Sequence, residues 1–214
     1  MRAPMSAVIA EIADPCEAAA LSKLKLLTAP EIARFCERWL AEDMDHGSAE
    51  IAWIAAEPGL VMSDVEPVFA KVLTQLGGEP PATDDAARTA VRLYARAIAD
   101  GCVPAREGMD AMVADLSLQF DDDVKPLIEG PDRDPRDGQM YAGQMLGIEG
   151  LYTWHRELID ADSGSMLFYF NELPRKAQLA RFRDELRSAA RRLAEHLEAA
   201  GAATPGAGVG PAAG

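Results

Sequence analysis

The run Thr28-Ala-Pro-Glu-Ile-Ala-Arg-Phe-Cys-Glu-Arg-Trp-Leu40 holds, in thirteen residues, both a helix start and a helix face. Thr28 is placed to cap, Pro30 fits a first turn where no amide is needed, and Glu31 stands three residues after the cap to complete a capping box. Ile32, Phe35, Cys36, Trp39 and Leu40 then recur at three- and four-residue spacing, the pattern of a helix that buries one face. The spacing predicts that this helix ends at His46-Gly47 and that Ser48 opens the next.

The same grammar repeats along the chain. Ile51, Ala52, Ile54 and Ala55 predict a short helix that stops near Glu57-Pro58-Gly59. Ser63-Asp-Val-Glu66 is a second capping box, followed by the stripe Val65, Val68, Phe69, Val72, Leu73 and Leu76 up to Gly77-Gly78. Thr83 or Asp84 caps a helix with the stripe Ala87, Val91, Tyr94 and Ile98, which Gly101 ends. Residues 104–119 carry Met109, Met112, Val113 and Leu116 at helical spacing, and residues 5–27 fit two short helices or one that begins after Pro15. Leu179, Phe182, Leu186, Ala189, Leu193 and Leu197 line a long helix over residues 175–200, whose other side is rich in arginine. Met166-Leu-Phe-Tyr-Phe170 is the sole strand-like run, too short and solitary to found a sheet.

The expected fold is therefore all-α: an irregular multi-helix bundle or short helical stack of seven to nine helices. Residues 1–200 read as a single domain, with the polar loop at residues 130–138 as a candidate internal boundary. Residues 201–214 hold only Gly, Ala, Pro, Thr and Val and are expected to form a disordered tail.

Composition narrows the functional classes. The chain has 214 residues, 49% of them hydrophobic, enough for a core without metals or disulfides. Cys16, Cys36 and Cys102 are too scattered for a zinc ribbon or a CxxC redox pair and suit a reducing compartment. The apolar start is interrupted by Glu11 and Asp14, too early for a secretory signal, and no run approaches a membrane span. The expectation is a soluble, cytoplasmic protein. Net charge is −14, distributed as −7 over residues 1–100, −6 over 101–140, −3 over 141–170 and +2 over 171–214. A field of that sign disfavours direct nucleic-acid or membrane binding and favours a basic protein partner, although high net charge also serves solubility alone. Arg88, Arg92 and Arg96 form an i, i+4 ladder, read as a solvated surface pairing with acids such as Asp85 and Asp100.

The most varied chemistry lies between Tyr141 and Asn171, with six of the thirteen aromatic residues. Tyr141, Tyr152, Trp154, His155, Glu157, Phe168 and Tyr169 are the candidate pocket or contact patch. A helix from Gly138 to about Ala161 would place His155 on one face with Leu151, Tyr152, Leu158 and Ile159. His155 has no histidine at i, i+4, so a structural, partly buried histidine is the plainer reading, and neither a metal nor a cofactor is expected. Gly143, Gly147 and Gly150 form no phosphate-binding fingerprint and read as notches for close helix packing. Asp162-Ser-Gly-Ser165 lacks the nucleophile-elbow spacing and reads as a loop, and the Asp121-Asp122-Asp123 triplet lacks calcium-loop periodicity and reads as a helix cap. Met140, Met145 and Met166 read as core filler, and Trp154 and Phe168 as buried aromatics that knit the C-terminal helix to the rest.

Two functions follow as expectations. The first is a non-enzymatic protein-binding module, of the adaptor, antitoxin or immunity kind, for a basic partner. The second is a small-ligand binder or enzyme with a pocket around Tyr152–Glu157. Oligomeric state is not legible in the sequence.

Overall fold

A computed structural model of the chain describes residues 8, 12, 14–119 and 146–202. Among these residues the structure is all-helical, with no strand and eight helices of defined bounds. They are α1 (Pro15–Lys23), α2 (Ala29–Ala41), α3 (Ala49–Ala56), α4 (Met62–Gln75), α5 (Thr83–Asp100), α6 (Ala105–Gln119), α7 (Glu149–Ser163) and α8 (Arg175–Ala202). The candidate boundary at 130–138, the Asp121–Asp123 triplet, Met140, Tyr141, Gly143, Met145 and residues 203–214 lie outside the described residues.

Local chemistry sets most boundaries. Asp14 caps α1 by accepting the Cys16 amide at 2.9 Å, with Pro15 in the first turn. At the start of α2 the Glu31 carboxylate accepts from the backbone N–H of Thr28 at 2.8 Å and from its hydroxyl at 2.7 Å. Three expected boundaries move, the first at α5, where Ala82 takes the cap position without a side-chain bond and Thr83 and Asp84 lie inside the helix. α2 stops at Ala41 rather than His46, and residues 43–47 form a turn in which Asp43, His46 and Gly47 all have positive φ. The carboxylate of Asp45 stabilises that turn by accepting the Gly47 amide at 3.0 Å, a local bond that competes with further helix. α4 begins at Met62 after Val61, so Ser63 is inside the helix and its hydroxyl turns to Asp64 instead of capping.

The helices divide around α5. On one side α2, α3 and α4 pack on one another, and Phe35, Trp39 and Phe69 stack with ring centroids 5.8 to 6.5 Å apart. α1 joins this group to α5, and on the other side α6, α7 and α8 pack together. α5 is buried on all but the stripe of Asp85, Arg88, Thr89, Arg92 and Arg96, because its other sides are alanines: Ala86, Ala87, Ala90, Ala95, Ala97 and Ala99, interleaved with Val91, Tyr94 and Ile98. Small side chains let three helices approach one rod closely, and one polar tie fixes each approach. Arg92 pairs with Glu17 of α1 at 2.8 Å, the Tyr94 hydroxyl donates to Asp115 of α6 at 2.5 Å, and Arg191 of α8 donates to the Ala99 carbonyl at 3.3 Å. The arginine ladder is thus not a simple solvated face. Arg88 does pair with Asp85 at 3.3 Å, but Arg92 is half-buried and clamps α1 to α5.

Candidate functional site

The segment predicted to hold the site begins with a helix break. The expected continuous helix from Gly138 is not formed through Gly147. That residue adopts φ 68°, Ile148 takes the cap position, and α7 starts at Glu149. A left-handed residue cannot continue a right-handed helix, and glycine adopts that conformation at least cost. Gly147 also lies against α8, since a Cβ there would sit 3.2 Å from Leu193 Cδ1. Gly150 opens onto free space, so close packing accounts for one of the two described glycines and not for the other.

The inward face of α7 is structural. Leu151, His155 and Leu158 are buried, and His155 Nε2 lies 2.6 Å from Asp110 Oδ1 on α6. Arg106 completes the seam: its guanidinium approaches Asp110 at 3.6 Å and bridges to Asp162 at the far end of α7. Glu157 is 4% exposed and uses its carboxylate to accept the Phe168 amide at 3.1 Å. A buried carboxylate needs such a donor, and here it fixes the path of the α7–α8 connection. Burial pushes the Tyr152 phenol above its ordinary range.

The connection itself is tightly held. Trp154 packs on Tyr169, Phe170 and Phe182 with centroids 5.2, 6.0 and 6.3 Å away. Gln178, buried on α8, donates to the Tyr169 carbonyl at 2.7 Å, and Arg175 donates to the Ala161 carbonyl. Yet the aromatic segment is split between inside and outside. Leu167 is buried, whereas Met166, Phe168 and Tyr169 are 76%, 69% and 44% exposed. Neither Phe168 nor Met166 is a core residue, contrary to expectation. The strand-like run belongs to a connection that bends at Phe168 and Tyr169 and turns left-handed at Phe170, and Phe170 and Phe182 do the knitting.

Each described candidate has its own surroundings. Tyr141 is outside the described residues, His155 and Glu157 each have a structural partner, Trp154 is stacked, and Phe168 and Tyr169 face outward. An open cleft of about 620 Å³ lies elsewhere, between α5 and the end of α8, lined by Asp85, Arg88, Arg92, Leu197 and Glu198 among others. Both of its arginines already have carboxylate partners. Among the described residues no group of three His, Cys, Asp or Glu is placed to hold a metal ion, and no helix is long and apolar enough to cross a membrane.

A different surface stands out, and the segment sums of charge conceal it. Residues 39–70 contain seven acids (Glu42, Asp43, Asp45, Glu50, Glu57, Asp64 and Glu66) and neither Lys nor Arg. All seven are exposed or half-buried on the α2–α3–α4 corner, and among the described residues no ion pair joins any of them to a cation. This stretch carries −7 of the chain's −14, while the exposed arginines cluster on α8. Counting Lys and Arg in a sliding window would have found it.

No known protein family, curated protein or solved structure matches the chain.

Proposed function

We propose that the protein is a non-enzymatic helical binding module for a basic protein partner. The observation that supports this most is the unneutralised acidic corner. Seven carboxylates on and between three packed helices have no ion pair to a cation among the described residues, so they repel one another and gain most from an external cation. A protein that needs charge only for solubility gains as much from acids interspersed with bases over its whole surface. The reading of a ligand pocket around Tyr152–Glu157 draws no comparable support, because His155 and Glu157 are already engaged in fixing α7 to its neighbours.

The test is affinity capture from the native host at low and at about 0.5 M salt, with polylysine as a defined cationic probe. A partner with a basic surface should be retained at low salt and released at high salt, because pairing between exposed charges is screened beyond a few ångströms at that ionic strength. Failure to retain either polylysine or any basic protein at low salt overturns the reading.

A further inference from the structure

We infer that the docking face for this partner is the outward side of α3 with the turn after it, and that it takes an arginine-rich segment carrying an apolar side chain. The inference rests on the basic-partner reading and adds its place and chemistry.

α3 is Ala-Glu-Ile-Ala-Trp-Ile-Ala-Ala, a helix with one charge that is apolar nearly all round. Helices of that composition are normally enclosed on every side. This one encloses only Ile51 and Ile54, both fully buried, and leaves Ala52 and Trp53 in solvent, with Trp53 40% exposed. Five residues beyond the helix, Val61 is 55% exposed. The corner therefore offers apolar surface that no described residue covers.

The charge around that surface is arranged, not scattered. Glu50 stands three residues before Trp53 and Glu57 four residues after it, spacings that put both carboxylates one turn from the indole on its own face. The Glu57 amide donates to the Trp53 carbonyl at 3.1 Å, so the helical path reaches Glu57 and the spacing holds there. Glu57 also sits at the negative end of α3, which has no basic residue in its last turn, and Glu42 takes the C-cap of α2, whose last turn carries Arg38. A carboxylate at a helix C-terminus is locally unfavourable and deepens the negative potential. An indole between two glutamates suits a guanidinium better than an ammonium, because the planar cation stacks on the ring while its N–H groups reach the carboxylates. Past Val61, Leu27 and Met62 line an open groove of about 340 Å³ with Ser22, Lys25, Thr28 and Glu66, a place for the apolar side chain, while the Lys25 charge keeps the arginines on the Trp53 side.

The experiment titrates the full-length protein with a synthetic peptide of several arginines around one leucine, following amide chemical shifts and calorimetry. Two control peptides replace leucine by serine, or every arginine by lysine. Shifts confined to residues 42–66 and the groove residues 22–28, at least tenfold weaker binding of Trp53→Ala and of the Glu50→Gln/Glu57→Gln pair, and weaker binding of both control peptides are the expected results. Trp53 is 40% exposed and so part-buried, and a melting scan of each variant separates lost binding from lost fold. Binding that maps outside the corner, or that survives both substitutions within twofold, overturns this docking face and leaves the basic-partner reading standing. No binding of any cationic peptide at low salt sinks both. Sedimentation showing self-association that Trp53→Ala abolishes would assign the face to a second copy and also overturn the inference.

Discussion

His155 and Asp110 hold Nε2 and Oδ1 2.6 Å apart across the seam between α6 and α7, the histidine buried and the aspartate half in solvent. The pair is a tie between two helices, and Arg106 extends it to Asp162. Asp110→Ala removes one acceptor and leaves a buried ring nitrogen without its partner, which is expected to cost about 1–2 kcal/mol. Urea denaturation of the variant checks this. Binding of a cationic probe should be unchanged, and loss of binding at parental stability would return His155 to a functional role.

Trp154 and Phe168, which sequence alone groups together, are expected to behave differently. Trp154→Ala empties a stack with three rings and should cost about 3–5 kcal/mol, whereas Phe168→Ala, 69% exposed, should change stability by less than about 0.5 kcal/mol. Thermal melts of the two variants, run side by side, decide the point. Equal losses would mean that Phe168 packs on something in the folded protein.

The two glycines of this region form a matched contrast. Gly147→Ala forces a side chain into a left-handed residue 3.2 Å from Leu193 and should lower stability by more than about 1 kcal/mol. Gly150→Ala, near the start of α7 with open space around it, should be neutral or stabilise by up to about 1 kcal/mol. Equilibrium denaturation midpoints of opposite sign are the predicted signature.

Alkaline destabilisation should be traceable mainly to one thiol, with smaller contributions of the same sign from Cys16 and Tyr152. Burial, and then the charge of Glu37, push Cys36 from 9.0 up to about 12. Between those values the unfolded chain releases the proton and the folded chain keeps it, so the folded state holds more protons and loses stability as pH rises above about 9. The slope is at most about 1.4 kcal/mol per pH unit, and below pH 9 the group contributes its full stability. Denaturation at pH 7, 8, 9 and 10 should show the decline in the parent and a flatter profile in Cys36→Ala. A thiol reagent at neutral pH should find Cys16 and Cys102 and miss Cys36 until the chain unfolds, with Cys16 slowed because burial and Asp14 raise its thiol.

Where the sequence carried local and unambiguous signals, the fold was legible. The Thr28–Glu31 box, the Phe35–Trp39 stripe and the Gly101 stop each depend on neighbours within one turn. Boundaries failed where two local signals competed. Asp45 folds back on Gly47 and ends α2 early, and Gly147 serves a left-handed turn although its neighbours read as helix. The candidate site was less legible, because the partners that decide each residue's role are distant in the chain. His155 meets Asp110 across 45 positions, and Arg92 meets Glu17 across 75. Exposure of Phe168 was hidden for a further reason: a hydrophobic run does not say which of its members faces out.

The alanine sides of α5 have a consequence for synthesis. Asp100 ends α5 about 75 residues before Arg175 begins α8, the helix that covers one of those sides. At about 5–20 residues per second, a ribosome leaves that strip without its cover for roughly 4–15 seconds on every chain it makes. Alanine is a mild exposure where leucine or isoleucine in the same places would be sticky, since less apolar area meets water. The side chains that let three helices sit close in the finished protein thus also keep the unfinished one presentable while it waits for its last helix.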